Sequence, residues 1–368
     1  MTPIRSPGND PLIRSVEVDV LSFALDPPFR AAIRTFPSVE IVLARVGTDA
    51  GLEGHGHAFA FGRDDAATLA GLTAALGARL EGRDARGVEA NWRAMWDALV
   101  FLGQSGAGLA AMAAIDLALW DILGKASGQP LHRLLGGART AIPVYGSGGS
   151  LALSTAELAA EVAGHAEAGH RAVKIKLGHG REGDRARLAA VRDAVGPHVR
   201  IIADANQQWT PKQAVASAAA LADFDLWWLE EPVPAAQIED CAVVRAAVPM
   251  AIATGETNFG AAEFERMLAL GAADILMPNL QRLGGITPWR KVAAAAELRG
   301  IPVASHVFPG INAHLMCAVP NGLTLEIVPW WPHPFEEPLR IEDGHAAPPE
   351  GPGLGLTPDR AMIARHRI

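Results

Sequence analysis

The sequence predicts an α/β protein: a TIM-type β/α barrel preceded by a separate α+β module. Three observations carry this reading. First, three carboxylates close three successive apolar runs: Asp204 after residues 200–203, Glu230 after 226–229 and Glu256 after 250–255. Neighbours in this series lie 26 residues apart, and a period of that size holds one strand, one helix and two loops. Second, eight short apolar runs in all alternate with alanine-rich amphipathic stretches from residue 142 onward. Third, the first third of the chain does not follow this rhythm.

In that first third, residues 13–24, 39–46 and 52–61 read as strands. Residues 65–80, 88–100 and 108–123 read as helices, the last ending before Gly124. Strands followed by helices make a self-contained α+β module. The barrel strands are expected at 142–145, 171–177, 200–203, 226–229, 250–254, 274–277, 302–304 and 323–327, with amphipathic helices such as 156–168, 213–222 and 289–299 between them. Beyond Pro329 the composition turns to Pro, Gly and His, so the tail is expected to pack back on the first module or across the barrel. The domain boundaries are therefore 1–137, 138–330 and 331–368. With no low-complexity linker between them, the domains are expected to be in firm contact.

Composition narrows the function classes. With 49% hydrophobic and 20% charged residues, the 368-residue chain has enough apolar material for a barrel and a second core. The net charge of −8 argues against nucleic acid as a partner. Cys241 and Cys317 both fall in helical stretches and suggest no disulfide framework, so a reducing cytoplasm is expected. Residues 1–8 lack the apolar core of a signal peptide, and no apolar run reads as long enough to span a bilayer. A cytoplasmic homo-oligomer without membrane contact is expected.

Strand-end residues carry the chemistry. Barrel enzymes place their functional groups at the C-terminal ends of strands, so Asp204, Glu230 and Glu256 should meet at one mouth. Three sheltered carboxylates repel one another unless a cation joins them, and oxygen ligands suit Mg²⁺. Lys174 and Lys176 share one strand face, about 7 Å apart. Their mutual repulsion would lower a pKa and make one a general base; a solvated edge pair fits the same pattern. Asn206, two residues after Asp204, would bind a ligand or a metal-bound water, although Asp-Ala-Asn is also an ordinary turn signal. Glu231 is expected to point toward the helix layer or a lysine. His306 ends the seventh strand at the height of the acids, a position that a satisfied core histidine also takes. Glu326 lies in an apolar run, where burial would raise its pKa and keep it a protonated hydrogen-bond donor to a developing oxyanion. Gly284-Gly285 gives only a faint phosphate-loop signal.

Taken together, Lys174-x-Lys176, Asp204-x-Asn206, Glu230-Glu231-Pro232, Gly255-Glu256, Met277-Pro278, Gly284-Gly285, Ser305-His306 and Glu326 resemble the enolase superfamily. The closer resemblance is to its mandelate racemase-like branch, the mandelate racemase / muconate lactonizing enzyme family. Upstream, Gly54-His55-Gly56-His57 and the run from Ala114 to Asp121 look like that family's capping domain, as does Gly351-Pro352-Gly353-Leu354-Gly355 in the tail. The resemblance implies an α+β cap on a modified (β/α)7β barrel, a Mg²⁺ ion, and abstraction of a proton α to a carboxylate. It makes Lys174 an electrostatic partner and Lys176 the base. One position departs: Asn279 stands where the family has an aspartate bonded to the histidine. Asparagine can orient an imidazole but cannot stabilise imidazolium by charge, so His306 should be a poorer base and a stronger acid.

The expected enzyme is thus a Mg²⁺-dependent lyase, an acid-sugar dehydratase that forms a metal-stabilised enolate from a 2-hydroxycarboxylate and yields a 2-keto-3-deoxy acid. The alternative is a 2-hydroxyacid racemase or epimerase. It is kept open by the mandelate racemase-like runs Ser305-His306-Val307-Phe308 with Ala313-His314-Leu315, and Gly54-His55 with Phe59-Ala60-Phe61. A non-catalytic barrel binding metal and sugar acid is a remote third. Cap loops 27–38 and 55–63 are expected to shape the pocket. There Arg34 would meet a distal carboxylate and His55 or His57 would bond hydroxyls, although surface exposure accounts for these three equally well.

Overall fold

The structure, a computed structural model, describes residues 11–368. The leader reading of residues 1–8 and the first residues of the N-terminal domain lie outside that range.

The cap begins with an antiparallel meander of β1 (Ile13–Arg30), β2 (Thr35–Thr48) and β3 (Glu53–Ala60). β1 runs past residue 24, where alternation stops in the sequence. Pairing skips from Ala24 to Phe29, then resumes as Phe29↔Phe36 and Arg30↔Thr35. Pro27 and Pro28, which lack N–H donors, sit in the skipped segment. Helices α1 (Arg63–Gly77), α2 (Val88–Ala98) and α3 (Ala107–Ser127) follow.

α3 corrects two expectations. It continues through Gly124 and ends at Ser127, with Gly128 in the left-handed region as its cap. Gly124 is there for close packing, since a Cβ at that position would collide with the backbone of Gly353. At 21 residues α3 is also long and apolar enough to cross a membrane by length and composition. It is nevertheless almost wholly buried within the protein, against β3 on one side and the barrel's helices on the other.

After the short α4 (Leu131–Leu134) the barrel begins. Its strands are β4 (Ile142–Ser147), β5 (Ala172–Lys176), β6 (Arg200–Asp204), β7 (Leu226–Glu230), β8 (Ala251–Thr254), β9 (Ile275–Leu276), β10 (Val303–Ala304) and β11 (Gly322–Ile327). All eight are parallel in sequence order, and β11 pairs with β4 to close the ring. The crossovers are α5 (Thr155–Glu167), α6 (Gly180–Val195), α7 (Pro211–Ala220), α8 (Ile238–Ala247), α9 (Gly260–Leu270), α10 (Leu280–Leu283) with α11 (Ile286–Glu297), and α12 (Pro309–Ala318). Reciprocal caps start α5 (Ser154 with Glu157) and α7 (Thr210 with Gln213). Cys241 on α8 and Cys317 on α12 are free and buried.

No helix follows β11 in the ring, so this is the (β/α)7β variant under an α+β cap. The tail touches both modules. Its hairpin β12 (Arg340–Glu342) and β13 (His345–Ala347) adds to β4, while Arg367, just after α13 (Arg360–His366), bridges Leu21 of the cap sheet.

A buried carboxylate locks cap to barrel. Asp116 of α3 accepts from the Thr287 amide at 3.0 Å and the Thr287 hydroxyl at 2.6 Å, and Trp120 Nε1 donates to the same hydroxyl at 2.9 Å. Gly285, at φ 107°, makes room: a Cβ there would overlap the Asp116 carboxylate. Gly284-Gly285 is therefore a docking notch for α3. Gly285→Ala should lose more than about 1 kcal/mol of stability, seen as a lower midpoint in urea unfolding; an unchanged midpoint would remove this joint from the explanation.

Candidate active site

Strand register brings the acids together. Lys176 of β5 pairs with Asp204 of β6, which pairs with Glu230 of β7, which pairs with Ala253 of β8. Glu256 follows three residues further along the chain. One oxygen from each of Asp204, Glu230 and Glu256 lies within 4.8 Å of the others, and all three residues are buried.

The two lysines sit among these acids as counter-charges. Lys174 Nζ is 2.6 Å from Glu230 Oε1 and 2.8 Å from Glu326 Oε1, while Lys176 pairs with Asp204 Oδ2. This corrects the expected lowering of their pKa values. Burial does push both ammonium groups down, but Glu230 and then Glu326 hold Lys174 well above the ordinary lysine value, and Asp204 holds Lys176 above it. Attraction to the acids outweighs repulsion between the lysines.

Glu326 is a second correction. Burial acts to raise its pKa, but Lys174, His306 and the Val307 amide, which donates to Oε2 at 2.8 Å, bring it down to about 2. It is an ionised acceptor here, not a protonated donor. Burial, with Asp204 and Glu256 adding repulsion, drives Glu230 well above the carboxylate range despite Lys174, and burial with Glu231 takes Glu256 to about 7.

The donor set fits a hard cation. Asp204 is oriented by the Asn206 amide and side chain at 2.7 and 2.9 Å, and Glu230 Oε2 accepts from Trp228 Nε1 at 2.9 Å. Glu256 Oε2 and Asn206 Oδ1 are buried without a hydrogen-bond partner. Orphaned oxygens beside three clustered carboxylates suit a divalent ion that keeps some of its own waters. Asp204, Glu230 and Glu256 would hold it.

His306 and Asn279 form a pair whose polarity can be read from the hydrogen bonds. Asn279 Oδ1 caps α10 by accepting from the Arg282 amide at 3.1 Å, which leaves Nδ2 to face His306 Nδ1 at 2.7 Å. A backbone N–H can only donate, so this network fixes the amide's orientation. Nδ1 of His306 must then accept, and the imidazole proton sits on Nε2, which points into the site 3.3 Å from Glu256 Oε2. Burial lowers the imidazole pKa; Glu326 opposes this, while Lys174 and Arg282 reinforce it, and the value falls to about 3.

Glu231 does not turn to the helix layer or to a lysine. At φ 38° it lies along the barrel mouth and accepts from Gln207 Nε2 and Thr257 Oγ1, each at 3.0 Å. The cap residues also depart from expectation. Arg34 donates to the Phe61 carbonyl at 3.0 Å and lies over the Phe36 ring, bracing the cap loop without lining the cavity. His55 faces a groove between cap and tail beside Lys125, and the His57 ring packs 4.9 Å from Phe308. Both point the same way as Phe59 but sit too early along β3 to reach the mouth. Burial first takes His55 to about 4 and His57 to about 3, so both are neutral.

A cavity of about 130 Å³ lies over the acids. Its floor holds Lys174, Lys176, Asn206, Glu256, His306 and Glu326, together with Ser147, Gln207 and Arg282, three residues that sequence reasoning missed. Its roof includes Phe29 and Phe36 from the paired β1–β2 extension and Trp330 and Trp331 from the start of the tail. Loop 27–38 had marked the first two; the tail tryptophans carried no periodic signal.

A closed parallel barrel with a carboxylate triad, a Lys-x-Lys strand and an α+β cap defines an enolase-type fold. The chain belongs to the mandelate racemase / muconate lactonizing enzyme family: residues 15–136 match its N-terminal domain and residues 157–362 the enolase C-terminal domain-like model. It is 33% identical to D-galactarolactone cycloisomerase of Agrobacterium fabrum, over 97% of this chain and 99% of that one. An enolase from Bradyrhizobium, solved with magnesium and mandelic acid, superposes with a TM-score of 0.92 at 34% identity, covering 98% of this chain and 99% of that chain. L-talarate/galactarate dehydratase from Salmonella typhimurium, solved with magnesium and L-lyxarohydroxamate, superposes at 0.94 with 29% identity, covering 100% and 96%.

Asn279→Asp should move the His306 proton to Nδ1 and raise its pKa by about 1–3 pH units. Nitrogen-detected NMR of labelled histidine checks this, and an unchanged Nε2–H signal would contradict the assigned tautomer.

Proposed function

We propose that this chain is a Mg²⁺-dependent lyase of the acid-sugar dehydratase type, acting on a 2-hydroxycarboxylate that carries a β-hydroxyl. The observation that carries the reading is the Asn279–His306 hydrogen bond. A racemase needs a base on each side of the α-carbon. Here Lys176 ends β5 and His306 follows β10, a strand three places away around the ring, and His306 presents a proton rather than a lone pair. One base and one donor suit elimination. The dehydratase and cycloisomerase relatives support this reading.

Bound at Asp204, Glu230 and Glu256, Mg²⁺ would supply positive charge that stabilises the enolate. Lys176 Nζ, as the neutral amine, takes the α-proton; it becomes available when Asp204 no longer pairs with it. Lys174, fixed between Glu230 and Glu326, holds positive charge where the substrate's negative charge grows. The Cβ–O bond then breaks, and the departing hydroxyl takes the Nε2 proton of His306 and leaves as water. A neutral imidazole with a lowered pKa acts as such an electrophilic donor, and His306 regains its proton from solvent. The enol that remains tautomerises to a 2-keto-3-deoxy acid.

Two outcomes are expected. Mg²⁺ at a hundredfold excess over its Kd should stabilise the protein by about 2.7 kcal/mol, seen as a raised Tm. Glu256→Gln should weaken or abolish that rise, and a full rise in this variant would place the ion elsewhere. Lys176→Ala should lose both turnover and α-proton exchange in D₂O by about 100-fold or more. Exchange at the wild-type rate would name another base. Inverted starting acid with no keto acid would replace dehydration with racemisation.

A further inference from the structure

The two halves of the cavity have opposite chemistry. The floor is charged, and much of its polarity is already engaged: Gln207 bonds Glu231 and Thr257, and Lys174 and Lys176 bond the acids. The roof is a continuous aromatic surface. Phe36 meets Phe61 at 4.1 Å, Phe59 meets Trp331 at 4.9 Å, and Phe29 meets Trp330 at 4.8 Å. Ile33 stands at the lip, 67% exposed.

Four phenylalanine and two tryptophan side chains offer two indole N–H donors and no hydrogen-bond acceptor. Trp330 Nε1 is buried without a partner. A polyhydroxylated chain placed under this roof would surrender water from several hydroxyls and find no acceptor for their protons there, with at most two indole N–H groups to replace what is lost. Arg34, the residue expected to receive a distal carboxylate, is occupied with the Phe61 carbonyl.

We infer that the substrate is a 2,3-dihydroxycarboxylate whose carbon 3 carries an apolar group, aryl or short branched alkyl, in place of further hydroxylated carbons. The carboxylate and both hydroxyls face the charged floor, and the apolar group fills the aromatic roof. This rests on the proposed α-proton abstraction followed by loss of water, keeps that dehydratase chemistry, and replaces its acid-sugar substrate with an apolar 2,3-dihydroxy acid. The balance is unchanged: the α-proton goes to Lys176, the β-hydroxyl leaves as water, and the product is a 2-keto acid with the apolar group on its methylene carbon.

The test uses the wild-type chain with Mg²⁺. Each stereoisomer of 2,3-dihydroxy-3-phenylpropanoate and of 2,3-dihydroxy-4-methylpentanoate is compared with galactarate, arabinonate and xylonate. Two quantities are read: α-proton exchange in D₂O by NMR, and keto-acid formation. At least one apolar acid should give a keto acid with kcat/KM about tenfold or more above every polyol acid. Polyol acids turned over as well or better would overturn this inference and leave the proton-abstraction reading standing. Exchange from no acid of either class would overturn that reading, and this inference with it.

Discussion

Five carboxylates crowd the mouth of one barrel, and the rest of the site depends on how their charge is balanced. Asp204, Glu230, Glu231, Glu256 and Glu326 are each at most 9% exposed. Burial penalises every one of them, and each one's charge raises the cost of the next. Two lysines supply part of the answer. Lys174 lies between Glu230 and Glu326, and Lys176 lies against Asp204. Glu256 has no lysine against it, and its Oε2 faces the site 3.3 Å from His306 Nε2. Strand register makes this arrangement unavoidable, because Lys176, Asp204 and Glu230 are direct neighbours across β5, β6 and β7. On the proposed reading, a divalent cation held by these acids would complete the balance and leave the lysine beside Asp204 free for proton transfer.

The same crowding explains which parts of the site were legible in the sequence. Position was legible: the period of 26 residues put Asp204, Glu230 and Glu256 on one mouth, and strand position with the family resemblance added both lysines, His306 and Glu326. Charge state was not. Considered alone, a buried glutamate keeps its proton and a lysine pair loses one; Glu326 and Lys174 do the opposite because each neutralises the other at 2.8 Å. Pairwise partners across non-adjacent strands do not show in a linear sequence. Asn279 could be read further, because a change from carboxylate to amide alters hydrogen-bond direction as well as charge. Direction became definite only when the Arg282 amide was seen to claim Oδ1.

The eight barrel strands were legible because each is a short apolar run between helices, and the cap sheet because its strands alternate. The β1–β2 extension was not, since Pro27-Pro28 interrupts the pattern just where the chain resumes pairing as Phe29↔Phe36. His55, His57 and Arg34 lie outside the cavity lining for a related reason. Composition marks them as polar cap residues, but only their distance along β3 and the hairpin decides whether they reach the mouth. The glycines were misread in a consistent way. Gly124 and Gly285 looked like a helix stop and a phosphate loop; both are places where backbone or carboxylate comes too close for a Cβ. These contacts hold cap to barrel and tail, and so fix the aromatic roof above the charged floor.

The central claim is that the three strand-end acids exchange lysine for metal. A crystal structure with Mn²⁺ in place of Mg²⁺, with the ion located by its anomalous signal, tests this most directly. The expected result is one ion within coordination distance of Asp204, Glu230 and Glu256, with the Lys176 ammonium withdrawn from Asp204. An ion bound elsewhere, or Lys176 still paired with Asp204 beside a bound ion, would contradict it.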